Sequence, residues 1–315
     1  MLGIDVSKAT LACALLDPLT RQTCWEHTVD NTPTGVRSLL ARTAPDTPWV
    51  LEPTGRYSLA VVKLAQQAGR TVLLASPRKA KNYLKSLQTR AKTDRLDSRG
   101  LGLFALTHDL PRYPVKSDAV EQLDQLLTAR KGVSDAIASL KLRIAELPHA
   151  AALLQAAVAD LQRRQQELDR QIAQQTQQAE FAAVARLVRV PGIGPVTAAA
   201  AVSRLQAKAF RHPDQFVAYI GLDIHVLESG TRKGQRGLTK EGDAELRRLF
   251  YLCAKSSIRA KGSPFRSQYE RELKKGRAKT AALCSVARKM ARLCWSLVQH
   301  GTEYDPDRVY QQPKA

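Results

Sequence analysis

The 315-residue chain lacks any cysteine arrangement with a chemical purpose. Cys13, Cys24, Cys253, Cys284 and Cys294 are odd in number and scattered, no Cys-x-x-Cys pair occurs, and no histidine sits at zinc-finger spacing from any of them. That excludes a zinc finger, a zinc ribbon and a disulfide framework. The cysteines read as reduced, mostly buried thiols of a cytoplasmic protein. Long apolar runs are missing too: none approaches the ~18 residues a membrane span needs, and no signal peptide precedes the opening strand-like run Leu2-Gly3-Ile4-Asp5-Val6. There is no RRM, KH or zinc-knuckle signature.

Negative charge is scarce. Against 49 Lys and Arg there are 29 Asp and Glu, a formal net charge of +20, which calls for a polyanionic partner, nucleic acid or an acidic membrane surface. Residues 1–110 carry a net +6, residues 111–180 a net of zero, and residues 181–315 a net +14. Such an excess repels itself unless a counter-charge binds.

What is present divides into segments. Residues 1–110 alternate short Val-, Leu- and Ile-rich runs (1–6, 11–17, 23–29, 48–52, 71–75) with helical patterns (34–43, 57–68, 77–88, 94–107). Three early strands followed by alternating helices and strands predict a mixed sheet flanked by helices, the order of an RNase H-like fold. Residues 117–180 contain one glycine, Gly132, and apolar residues recur at heptad spacing, interrupted by Arg130 and Gln165. Pro148 divides this stretch into two helices of about thirty residues each. An antiparallel hairpin or an intermolecular coiled coil satisfies the pattern equally well. Residues 181–300 read as mostly helical (181–188, 195–205, 213–218, 241–259, 277–300), with a polar Gly-rich loop over 226–240. The predicted organisation is therefore 1–112, 113–180, 181–301 and a loose tail, 302–315.

Four carboxylates stand out. Asp5 lies in the middle of the first strand, where an unpaired charge is costly. Glu52 closes the strand Trp49-Val50-Leu51-Glu52 just before Pro53-Thr54-Gly55, a usual place for a site residue. Asp94 and Asp97, in Lys92-Thr93-Asp94-Arg95-Leu96-Asp97-Ser98-Arg99, share one helical face at i,i+3, and two like charges there call for a cation between them. Oxygen donors without His or Cys favour Mg²⁺ or Mn²⁺, and such ions serve phosphodiester chemistry. Singly, Asp94 also suits a helix N-cap and Asp97 an ion pair with Arg95 or Arg99.

In the last third, Val190-Pro191-Gly192-Ile193-Gly194-Pro195 resembles the turn of a helix-hairpin-helix. There Gly192 and Gly194 let backbone N–H groups approach a phosphate. The run Glu228-Ser229-Gly230-Thr231-Arg232-Lys233-Gly234-Gln235-Arg236 continues to Lys240 and offers Arg232, Lys233, Arg236 and Lys240 as a phosphate grip. Arg247 and Arg248, with Arg288, Lys289 and Arg292, extend that grip or form a solvated face. A Ser-Gly step is common in turns, so the residues alone assign Ser229 no role.

Taken in order, these motifs together with Ala218-Tyr219-Ile220-Gly221-Leu222, Lys240-Glu241-Gly242-Asp243 and Leu246-Arg247-Arg248 resemble the DEDD-type insertion-sequence transposases, the IS one-ten family, related to the Piv DNA invertase. The resemblance covers nearly the whole chain. It implies an α/β RuvC-like catalytic domain, a coiled-coil dimerisation insertion and an all-α C-terminal transposase domain. It further implies that Asp5, Glu52, Asp94 and Asp97 bind Mg²⁺ (or Mn²⁺), and that Ser229 attacks DNA to form a covalent phosphoserine link. A structured bridge RNA that pairs with target and donor DNA is implied as a partner, as is a tetramer of two dimers. Thr239 stands where the family often has a second serine, and Asp243 where Asn or His is common. A site-specific invertase, a RuvC-like nuclease that uses water and a non-enzymatic nucleic-acid binder remain as alternatives.

Overall fold

The structure is a computed structural model that describes residues 1–86, 94–229, 232–260 and 262–309, without the side chains of residues 56, 94–95, 225–229 and 232–236. It divides into two compact units, Met1–Val115 and Lys116–Ala315.

The first unit is a five-stranded sheet with helices on both faces. Strands β1 (Leu2–Val6), β2 (Thr10–Leu16) and β3 (Thr23–Asp30) run antiparallel, followed by α1 (Pro33–Arg42), β4 (Trp49–Leu51), α2 (Arg56–Gln67), β5 (Val72–Leu74), α3 (Pro77–Ser86) and α4 (Asp94–Thr107). The order across the sheet is β3-β2-β1-β4-β5, with β4 parallel to β1 and β5 parallel to β4. Side chains alternate between the faces. Leu2, Ile4, Trp49 and Leu51 pack with Val36 and Leu39 of α1 and Val61 and Val62 of α2. Val50 turns the other way, toward Ala80 of α3 and Leu101 and Phe104 of α4.

On that second face α4 lies almost against the backbone of β1. A Cβ at Gly3 would come within 2.0 Å of the Ser98 carbonyl oxygen and 2.7 Å of the Gly102 nitrogen, and one at Gly102 within 2.5 Å of a Leu16 methyl. No residue other than glycine fits at position 3 without moving the helix. β4 stops at Leu51, one residue earlier than the sequence suggests, which leaves Glu52 just past the strand end.

The second unit begins with a helical hairpin, α5 (Asp118–Glu146) and α6 (Ala151–Gln175), broken at Pro148. The two interruptions of its heptad seam meet. Arg130 Nε donates to Asp169 at 2.5 Å, Gln165 Nε2 donates to Ser134 Oγ at 2.6 Å, and Ser134 Oγ lies 3.4 Å from Arg130 Nη1. The seam is thus satisfied within one chain, and this polar layer fixes its register.

The base of the hairpin (Val120, Leu123, Leu127, Ile172) shares a core with α7 (Ala183–Val188), α8 (Pro195–Ala207), α9 (Pro213–Tyr219), α10 (Ala244–Ser257) and α12 (Lys279–His300). Helix α8 is central, with Thr197 through Ser203 all buried. Two features differ from the sequence expectation. Within 226–240, where a loop was expected, β6 (Ile224–Ser229) and β7 (Arg232–Leu238) pair antiparallel. The glycines and arginines of β7 hide a strand whose pairing is carried by backbone. A further helix, α11 (Pro264–Lys274), buries only Phe265 and Glu272, so its charged sequence shows no apolar period.

The packing makes two predictions. Replacing Gly3 by Ala lowers stability by about 1–3 kcal/mol, as overpacking does, read as a lowered urea midpoint; an unchanged midpoint contradicts the contact. Thiol labelling of the native protein modifies exposed Cys24 first. Cys13, whose thiol burial pushes up to about 12, and buried Cys253 and Cys294 react only on unfolding.

Candidate active site

The sheet register brings two of the acids together. Ile4 pairs with Leu51 across parallel strands, so Asp5 and Glu52 follow side by side at the carboxyl ends of β1 and β4. In open α/β sheets this edge is where ligands bind. Asp5 shares its face of the strand with Gly3, the face on which α4 lies, and it is the one residue of β1 that is not buried. Helix α4 begins at Asp94 and carries Asp97 one turn later, next to the Ser98 that touches Gly3. Asp5, Glu52 and Asp97 accordingly line one cavity of about 550 Å³, together with Leu96, Leu101 and, from α3, Arg78, Lys81, Leu84 and Lys85. The side chain of Asp94 lies outside the described residues. The three cations were not singled out in the sequence, although their i, i+3, i+7 spacing on a helical run was a usable signal.

Among the described residues, which do not include the Asp94 side chain, no group of three His, Cys, Asp or Glu side chains is arranged to hold a metal ion. The donors in the cavity are nevertheless all carboxylate oxygens from three separate elements, the ligand type that Mg²⁺ takes. The donor chemistry therefore fits a hard divalent cation.

Ser229 is the last residue of β6, and its backbone pairs with Arg232 at the start of β7. The side chains of Ser229, Arg232, Lys233 and Arg236 lie outside the described residues. The base of this hairpin is held from several sides. Thr239 N donates to the Asp223 carbonyl at 3.1 Å, and its hydroxyl bonds the Asp223 carboxylate. Asp243 N donates to Tyr219 O at 3.0 Å, and the exit loop lies so close to Tyr219 that a Cβ on Gly242 (φ 115°) would stand 2.0 Å from that oxygen.

Asp243 also caps α10, accepting from Leu246 N at 2.9 Å, and accepts from Arg204 Nε at 3.1 Å. Arg204 in turn donates to Asp124 of α5, which also takes Ser203 Oγ at 2.5 Å and Lys116 Nζ at 2.6 Å. The carboxylate at position 243, left without a role by the sequence, thus ties the serine hairpin through α8 to the long helical hairpin. Burial, with Asp243 beside it, pushes the Tyr219 phenol up.

The remaining basic candidates separate. Arg247 Nη1 donates to Ile220 O at 3.0 Å, and Arg248 forms a bidentate pair with Glu245 at 2.6 and 2.9 Å, so both serve the local fold. Gly192 (φ 89°) packs its Cα against Cys253 and Ser257 of α10, while Gly194, the N-cap of α8, faces open space. Lys240 is exposed. Arg292 pairs with Asp214 at 2.5 Å. Arg288 keeps a buried Nε without a hydrogen-bond partner, and desolvation with Arg292 and Arg277 nearby lowers its guanidinium pKa. No helix among the described residues is long and apolar enough to cross a membrane.

Residues 2–149 match the IS110-type DEDD transposase domain, and residues 184–270 match the domain described as Transposase IS116/IS110/IS902 family. Proteins of this class are enzymes that cut and rejoin DNA. The chain thus carries both transposase domains of the IS110/IS116 type. It is 28% identical over 280 residues to a probable family 20 transposase of Pseudomonas aeruginosa, covering 76% of this chain and 81% of that protein. It is 23% identical over 327 residues to a pilin gene-inverting protein of Moraxella lacunata, covering 96% and 97% respectively. A shorter match, 28% over 123 residues, links it to the transposase for insertion sequence element IS1328 of Yersinia enterocolitica, covering 38% of this chain and 36% of the relative.

Removing the Asp243 side chain takes away a helix cap and an ion-pair partner together. Asp243→Ala is expected to cost about 2 kcal/mol. In a double-mutant cycle with Arg204→Ala the losses are less than additive; full additivity, measured by denaturant unfolding, contradicts the link.

Proposed function

We propose that the chain cuts DNA by attack of the Ser229 hydroxyl on a backbone phosphorus, with Asp5, Glu52, Asp94 and Asp97 holding Mg²⁺ (or Mn²⁺) at the reacting phosphate. The carrying observation is the shared cavity of Asp5, Glu52 and Asp97, with Asp94 starting the same helix. A divalent cation held there would stabilise the negative charge that builds on the phosphate oxygens. The serine oxygen forms a bond to phosphorus and gives up its proton. The bond to the leaving sugar oxygen breaks, and that oxygen is protonated in turn. Because the phosphoserine ester retains the energy of the broken linkage, a sugar hydroxyl of another strand can reverse the step and rejoin DNA without a further energy source.

The sheet order, three antiparallel strands followed by two parallel ones, supports a RuvC-like, RNase H-like reading of the first unit. The helix–turn–helix of α7 and α8 supports a helix-hairpin-helix-like contact to nucleic acid. The acids belong to one unit and the serine to the other. With the heptad seam filled internally, the exposed Leu142, Leu147 and Leu153 near the hairpin tip are the contacts offered for dimers and for a synaptic tetramer. The net +14 of residues 181–315 suits a structured bridge RNA beside the DNA backbone. A site-specific inversion is the second reading, favoured by the near-complete overlap with the pilin gene-inverting protein.

The test is a search for a DNA–protein adduct resistant to detergent, formed in Mg²⁺ by protein purified together with any nucleic acid it carries. Wild-type protein forms the adduct. Ser229→Ala abolishes adduct and cleavage together, and Asp97→Asn lowers both by about 100-fold or more. Cleavage that survives Ser229→Ala overturns the serine mechanism in favour of water.

A further inference from the structure

The acid cavity has a second wall of opposite charge. Helix α3 starts at Pro77, three residues after β5 ends, and Arg78, Lys81 and Lys85 all line the cavity of Asp5, Glu52 and Asp97. The helix is fixed in rotation. Ala80 is buried, the Tyr83 ring lies 5.3 Å from that of Phe104 in α4, and the Leu84 side chain fills the space over Gly100 of α4, where a Cβ would meet it at 1.9 Å. The exposed cations at 78, 81 and 85 are thereby set along one stripe facing the acids, while Lys79 of the same helix does not line the cavity.

The electrostatics set a problem that the cations solve. A cluster of carboxylates repels a polyanion, and a hard cation at their centre offsets that only at the phosphate it touches. Neighbouring phosphates of the same strand still need positive charge within a few ångströms, and flexible lysines on a helix rim supply it.

We propose that Arg78, Lys81 and Lys85 form a phosphate clamp that grips the DNA strand on either side of the scissile phosphate and so lays that phosphate against the carboxylates. These are positioning residues, and the proposal rests on the reading of the acid cavity as the cleavage site. Lys81 and Lys85 are the residues to vary, because both are exposed and neither packs the core.

The experiment uses the full chain and a fluorescent DNA oligonucleotide of mixed sequence, with affinity measured across a salt series. Each lysine lost from a phosphate contact lowers the slope of log affinity against log salt by about 0.7–0.9. The Lys81→Gln/Lys85→Gln double variant should therefore bind with a slope shallower by roughly 1.5. Its cleavage should show a raised KM with little change in kcat, and Lys81→Arg/Lys85→Arg should restore both readouts. A doubly substituted protein that folds as wild type and keeps the wild-type slope overturns the clamp. So does a slope that changes for an RNA oligonucleotide and not for DNA. Cleavage by wild-type protein in Mg²⁺ is scored separately: if the slope falls but the wild type never cleaves, the clamp stands as a DNA grip and the cleavage reading fails.

Discussion

Between Gly3 of β1 and Ser98 of α4 there is no room for a methyl group, and the candidate active site depends on that contact. A helix packed on a sheet through ordinary side chains is held off by them, too far for a short carboxylate on the helix to join carboxylates on the strands. With glycine at the crossing point the helix backbone rests on the strand. Asp97 then shares a cavity with Asp5 and Glu52. The parallel register of β1 and β4 does the rest, placing those two acids side by side at the strand ends.

The second unit solves a different problem, holding a short two-stranded hairpin firmly. A lone hairpin is marginal in water, and this one is anchored at its base by Asp223, Thr239, Gly242 and Asp243. Through Arg204 and Asp124 the anchor continues into the long helical hairpin, whose own register is pinned by the Arg130–Ser134–Gln165–Asp169 layer. Buried polar contacts of this kind hold only while every partner is present, which couples the position of the Ser229 strand to that of α5.

Much of the first unit was legible because its signals are local. Strand runs, helix periods and the acids at their ends are all written in neighbouring residues, and all five strands fall within a residue or two of their expected places. The split at Pro148 was equally plain, although only the paired polar residues show that the seam closes within one chain. What the sequence did not disclose is long-range. The β6–β7 hairpin is held by backbone bonds and by a clamp spanning residues 219–243, so its glycines and arginines read as a loop. Helix α11 buries too little to show a period. Asp243 and Arg204 are 39 residues apart, and the cations of α3 gain meaning only once α3 lies beside α4. The role proposed for Ser229 rests on the family resemblance and not on its spacing.

We propose that the approach of α4 to β1 builds a carboxylate site able to hold a metal ion. The most direct test is anomalous diffraction from crystals of the protein grown with Mn²⁺. A peak in the cavity lined by Asp5, Glu52 and Asp97, within coordination distance of Asp94, is the predicted result, and the peak should be lost in Asp5→Asn. Mn²⁺ bound elsewhere, with no peak in that cavity, would contradict the account.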